Sequence, residues 1–235
     1  MKSIQIYSDL ICPWCYIGRR RMEEALRQVT TRTQIERSWH PFQLNPGMPP
    51  AGMDRKAYRS RKFGSWERSQ AMDSEVAATG RAVGIEFRYD LQTHTPNTFD
   101  SHRVVWLAGR SGVQEGVVES LFHAYFCEGA NFSDPPVLIA AAASGGLEAG
   151  RVKRLLESDE GASVVRIEEE RGRSLGISGV PFFIFNQQIA FSGAQAPAAF
   201  LEALRRASER PGDLEERDAA GSADACGPSG CDVPP

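Results

Sequence analysis

The chain has 235 residues, of which 41% are hydrophobic and 24% charged, with a formal net charge of −3. Those are ordinary values for a soluble globular protein of one large domain or two small ones. They exclude an overall basic field that would attract nucleic acid, and no window reaches the roughly 18 apolar residues of a membrane span.

An alternating stretch at residues 3–7 (Ser3-Ile4-Gln5-Ile6-Tyr7) predicts a strand almost at the start. No apolar run of the ~7–15 residues that a secretory signal needs comes before it, so the expected setting is the cytoplasm. Residues 13–29 follow as a helix, with Met22, Ala25, Leu26 and Val29 at helical spacing and Arg19, Arg20, Arg21, Glu23, Glu24 and Arg27 mostly on the other face. Residues 34–44 alternate again and predict a second strand, which Pro41 should end or place at an edge. A strand–helix–strand order demands a crossover and favours a parallel pair. Pro46, Gly47, Pro49 and Pro50 mark a loop.

From Asp54 to about Leu175 the sequence reads mainly as helices. They fall at 54–82 (two stretches broken near Gly64), 97–109, 113–126, 135–144, 148–157 and 162–175, with a possible short extended piece at 85–89. Strand character returns at 181–185. Asn186-Gln187-Gln188 turns the chain into a second strand at 189–191, and 196–207 is a last helix with Pro197 in its first turn. From Glu209 onward seven acids and two bases give −5, leaving about +2 on the rest. This Gly-, Pro- and Asp-rich end is expected to be a mobile acidic tail. The order is therefore βαβ, a helical block, then ββα.

Chemistry concentrates at Cys12-Pro13-Trp14-Cys15, where the first strand hands over to the helix. Two cysteines so spaced suit a dithiol–disulfide pair, Cys12 attacking and Cys15, one turn inward, resolving. Pro13 suits the first helical position, and the free N–H groups of Trp14 and Cys15 together with the helix dipole favour a Cys12 thiolate. Half a zinc site, or two unrelated core cysteines, would also place cysteines here. A second pair, Cys226 and Cys231, brackets Gly227-Pro228-Ser229-Gly230 in the tail, a turn able to bring two sulfurs together. It is an auxiliary redox pair exchanging with Cys12 and Cys15, a metal-capturing tail, or a passive loop. Asp9 is a turn cap or a proton acceptor. Cys127 reads as a packed thiol. His40, His94, His102 and His123 show no metal spacing, and Arg55, Lys56, Arg59, Arg61 and Lys62 read as a solvated helix face. No metal and no cofactor is expected.

Several stretches together are more specific than the cysteine pair: Cys12-Pro13-Trp14-Cys15-Tyr16-Ile17-Gly18, Asn97-Thr98-Phe99-Asp100 with His102-Arg103, Ala124-Tyr125-Phe126, Gly179-Val180-Pro181-Phe182-Phe183 and Ser192-Gly193-Ala194-Gln195. On these the chain resembles the DsbA-like branch of the thioredoxin superfamily, in particular its FrnE-type members. The resemblance implies an α/β fold in which a thioredoxin-like core (1–45 and 176–207) is interrupted by an inserted all-helical subdomain (54–175) and followed by a flexible tail (208–235). It also implies a cis Val180–Pro181 bond facing the sulfurs, with Val180 backbone, Pro181, Pro13 and Trp14 against the substrate. The partners implied are protein or peptide thiols and disulfides and a thiol electron donor, with no nucleic acid or membrane. Trp14 is uncharged where some relatives carry histidine, so a less oxidising pair is expected. Glutathione-dependent transferases and chromene-carboxylate isomerases share the architecture, but they typically carry serine in place of Cys12 and do not need Cys15.

Overall fold

The computed structural model describes residues 2–29 and 35–207. The expected helix end at Thr30-Thr31 and the pair Cys226 and Cys231 lie outside the described residues.

Strand β1 (Lys2–Ser8) pairs in parallel with β2 (Ile35–Pro41), with Ile6 opposite Trp39. Helix α1 (Pro13–Arg27) makes the crossover between them. On its other side β1 pairs antiparallel with β5 (Phe182–Phe185), which turns back into β6 (Ile189–Ser192), so the sheet order is β2-β1-β5-β6. In the three-residue β5–β6 connection Asn186 has φ 48° and Gln187 φ 59°, and the Gln188 N–H donates to the Phe185 carbonyl at 3.0 Å, the paired positive φ values of a primed turn. Asn186 holds this conformation from both sides: its Oδ1 accepts the Ser3 N–H (2.8 Å) and its Nδ2 donates to the Ala207 carbonyl (2.6 Å).

Alternation sorts the sheet's side chains. Ile4, Ile6, Phe183 and Phe185 are fully buried in the main core, where Phe183 meets Phe200 of α9 (Pro197–Arg206) edge to face at 4.8 Å. On the opposite face Tyr7, Phe42 and Ile177 form a smaller cluster backed by Phe182 and Ile184.

Between β2 and β5 lie, among the described residues, seven helices: α2 (Arg55–Phe63), α3 (Trp66–Arg81), α4 (Phe99–Arg110), α5 (Gln114–Glu128), α6 (Pro135–Ser144), α7 (Ala149–Leu156) and α8 (Ala162–Ser174). Local signals set several starts. Asp54 accepts the Ala57 N–H, Ser65 accepts the Arg68 N–H, and Asn97 Oδ1 accepts the Phe99 N–H at 2.8 Å. The block also holds a two-residue ladder, β3 (Met53–Asp54) with β4 (His94–Thr95).

Residues 85–89 are no strand. Ile85 and Phe87 are buried, and the Arg88 N–H donates to the Phe126 carbonyl at 2.8 Å. The segment alternates because it lies along the C-terminal end of α5, and its partner is a helix carbonyl that would otherwise go unpaired. The core is continuous across the molecule, since sheet residues such as Ile6 and helical residues such as Val104, Leu121 and Leu155 belong to one buried cluster. Tyr16 of α1 stacks on Phe122 of α5 at 5.1 Å. No helix among the described residues is long and apolar enough to cross a membrane.

Candidate active site

The site forms where β1 runs into α1. The Cys12 N–H donates to the Asp9 carbonyl at 3.0 Å, a turn that delivers Cys12 to the N-cap position in an extended conformation (φ −90°, ψ 110°). Pro13 then occupies the first helical position, where its missing N–H removes nothing. The Cys12 carbonyl accepts the Cys15 N–H (3.0 Å), so the helix begins inside the motif. Both sulfurs belong to free thiols, and both residues are buried, Cys12 at 4% and Cys15 at 1% exposure, whereas Trp14 between them is 40% exposed. The indole is thus the part of the motif that a partner meets first.

The opposing wall comes from the other half of the sheet. The Val180–Pro181 bond is cis, and the Cys12 thiol donates to the Val180 carbonyl at 3.5 Å. Cys12 makes no side-chain capping bond to the helix. That differs from the capping geometry expected of a thiolate at a helix start: the sulfur is turned to the Val180 carbonyl instead. Pro181 is held in turn by the Gly193 N–H donating to its carbonyl at 2.8 Å. Gly18 permits the approach of α1 to this wall: a Cβ there would lie 3.2 Å from both Pro181 and Phe183.

The two thiols differ in their surroundings. Burial pushes the Cys15 thiol well above its ordinary range, and the Cys12 thiol beside it pushes the same way; the Ser8 hydroxyl and the Asp9 backbone oppose this more weakly. Cys15 therefore stays protonated where an exposed thiol would ionise, which suits a resolving residue that acts only once a mixed disulfide has formed.

Two residues with open roles in the sequence prove to be in contact. Asp9 is fully buried; its Oδ2 accepts the Leu44 N–H at 2.7 Å, and its Oδ1 faces His102 Nε2 at 3.5 Å. Asp9 thus braces the loop after β2 against the cysteine turn. Cys127 is half-buried and its thiol is pushed up, chiefly by burial. Arg55, expected on a solvated face, is buried instead. Its guanidinium donates to Asp73 (2.8 Å) and Gln92 (3.2 Å), and Arg59 also reaches Asp73. Among the described residues no group of three His, Cys, Asp or Glu side chains is placed to hold a metal ion.

The comparisons with known proteins agree with this architecture. The chain is 25% identical over 202 residues to the uncharacterized protein YwbO of Bacillus subtilis, covering 86% of this chain and 94% of that protein. It is similar in structure to a probable DsbA oxidoreductase of Streptomyces coelicolor, with a TM-score of 0.82, 32% identity and full coverage of both chains. The cytosolic disulfide reductase DsbM of Pseudomonas aeruginosa, in a structure with GSH, shares the fold at a TM-score of 0.60 and 19% identity, over 87% of this chain and 98% of that one. The model of the DSBA-like thioredoxin domain matches residues 3–205, and the chain belongs to that family.

Proposed function

We propose that the protein is a thiol–disulfide oxidoreductase acting on protein or peptide substrates, in the reductase or isomerase direction, through Cys12 and Cys15. The observation that carries this reading is the pair of buried thiols at the start of α1, with Cys12 Sγ 3.5 Å from the Val180 carbonyl beside Pro181. Cys12 loses its proton and attacks a substrate disulfide; one substrate sulfur leaves as thiolate and takes up a proton. Cys15 then gives up its proton and attacks Cys12 Sγ in the mixed disulfide, releasing the second substrate thiol. Two electrons pass to the substrate and leave a Cys12–Cys15 disulfide, which a small thiol or dithiol donor reduces again.

An extended substrate segment lies along the Val180 backbone in the manner of an added strand, and Trp14 supplies an exposed apolar platform beside it. The cytoplasm, where dithiols are kept reduced, is the setting that fits this direction. The tail pair Cys226 and Cys231 is part of the same proposal as a second dithiol that exchanges with the first. Cys15 has a task in this chemistry and none in a glutathione transferase or isomerase on the same fold.

The test is reduction of insulin disulfides by wild type, Cys12→Ser and a Cys226→Ser/Cys231→Ser variant, with thiol counting before and after reductant. Turnover lost in Cys12→Ser supports the reading, and insulin reduction that survives in that variant ends it. Unaltered turnover and thiol count in the tail variant would remove the exchange while leaving the first pair in place.

A further inference from the structure

A second constellation lies on the free edge of β2, away from the cysteines. Ser38 and His40 are two residues apart on one strand and so share a face. Ser38 Oγ is 3.0 Å from His40 Nε2, and His40 Nδ1 is 2.8 Å from Glu168 Oε2 of α8. A carboxylate can only accept, so Nδ1 is the nitrogen that bears hydrogen. In the neutral ring this leaves Nε2 as acceptor for the Ser38 hydroxyl. The ring is further fixed by stacking on Tyr7, with centroids 5.0 Å apart. Nucleophile, base and orienting acid thus stand in the order that acyl transfer requires.

All three residues line one cavity of about 430 Å3 between α4, α8 and the edge of β2, within the range of small-molecule sites. Trp106 and Val164 give it apolar wall, and Arg110 brings cationic charge; the Arg37 guanidinium is taken up by Glu115 at 3.4 Å. The strand edge is already engaged at one point: Gln114 accepts the Trp39 N–H (3.0 Å) and donates to the Trp39 carbonyl (3.2 Å). Because backbone groups alternate sides along a strand, the Arg37 N–H next to Ser38 points to the same free edge as that of Trp39.

We propose that Ser38, His40 and Glu168 form a second active site that hydrolyses small carboxylic esters, independently of the dithiol. Ser38 Oγ bonds to the ester carbonyl carbon while its proton passes to His40 Nε2. The C–O bond to the alcohol breaks, and the alcohol leaves with that proton. Water, losing a proton to His40, then releases the acid and restores the Ser38 hydroxyl. Glu168 keeps the imidazole in the required tautomer throughout, and Arg110 offers positive charge to the tetrahedral oxyanion.

The test is labelling of the full-length reduced protein with a biotinylated fluorophosphonate, followed by peptide mapping. The expected result is modification of Ser38, reduced at least about tenfold in His40→Ala and about fivefold in Glu168→Gln, with insulin reduction by Ser38→Ala unchanged. In a Cys12→Ala/Cys15→Ala background, which removes attack on the reagent by that pair, p-nitrophenyl acetate should be hydrolysed faster than by the same protein with Ser38→Ala, the remaining cysteines being common to both. Unmodified Ser38 in wild type, equal modification of Ser38 in folded His40→Ala, or equal hydrolysis with and without Ser38 would overturn the proposal. If His40→Ala does not fold, the wild-type, Glu168→Gln and hydrolysis arms decide it.

Discussion

The first turn of α1 and the turns that follow it are built from opposite materials. Residues 12–15 carry no charged side chain and are positioned by backbone: the Asp9 carbonyl, the helix's own first bonds and the Val180 carbonyl. From Tyr16 onward the helix is tied by side chains. Tyr16 donates to Glu119 at 2.9 Å, Arg20 donates to Tyr16 at 3.0 Å, and the buried Arg19 pairs with Glu23 (2.9 Å), Glu115 (3.6 Å) and Glu119. Glu115 also accepts from the Trp39 indole at 2.7 Å. A thiol pair that must change ionisation during turnover is poorly served by fixed charges in contact with it, because each would bias one state. The charged anchor is set back along the axis, about 10 Å from Cys12 to Arg19 at 1.5 Å per residue, close to the screening length of physiological salt. Reactivity and attachment occupy successive turns of one helix.

The largest effects should separate the two stretches. Cys12→Ser is expected to lower disulfide exchange by about a thousandfold or more while leaving the urea midpoint of the reduced protein nearly unmoved. Glu119→Ala should do the reverse. It strips Arg19, Arg20 and Tyr16 of their common acceptor, and the half-buried setting suggests a loss of about 2–3 kcal/mol. Activity per folded molecule should stay within about threefold. A Glu119→Ala protein that is fully folded yet inactive would break the separation.

How much of this was legible follows from how far apart the partners lie. The cysteine pair, the proline at the helix start and the alternating strands are local and could be read directly. Tyr16 with Glu119, or Cys12 with Val180, are partners 103 and 168 residues apart, and one sequence carries no local mark of such pairing. Asp9 shows the limit well: three residues before Cys12, it reads as a turn cap or a proton acceptor, and only the fold brings Leu44 and His102 to it. Residues 85–89, a possible short extended piece in the sequence, alternate in burial but pair with no strand; their backbone partner is the Phe126 carbonyl of α5. The β3–β4 ladder, with two residues on each side, is too short to show a period. Ser38 and His40 share a strand face by simple alternation, while Glu168 comes from α8, 128 residues away from His40.

A smaller effect comes from the thiol that burial holds protonated. The folded-state value of Cys15 lies above its ordinary value of 9.0, so the folded protein binds that proton more tightly than the unfolded chain. The resulting stability is fully present below the ordinary value and is lost as pH rises above it, by at most about 1.4 kcal/mol per pH unit for one proton. Urea titrations of reduced wild type from neutral to alkaline pH should therefore show a decline that Cys15→Ala lacks. Parallel curves would mean that Cys15 is less enclosed than its 1% exposure implies.

The smallest expected change in stability is the most informative about the boundary between the two stretches. Gly18 is the point where α1 leaves the neutral turn and passes the Val180–Pro181 wall. In Gly18→Ala, the added methyl gains helix propensity of up to about 1 kcal/mol but meets Pro181 and Phe183 at 3.2 Å, so those neighbours must give by a few tenths of an ångström. The two contributions oppose each other, and net stability should move by less than about 1 kcal/mol. The wall has to yield, however, and it carries the carbonyl that receives the Cys12 thiol. Exchange should therefore fall about two- to fivefold with the fold intact, since small misplacements near reacting groups cost rate more than stability. A Gly18→Ala protein with unchanged turnover would show that the spacing between α1 and Pro181 is set by the sheet alone, and that the helix only follows it.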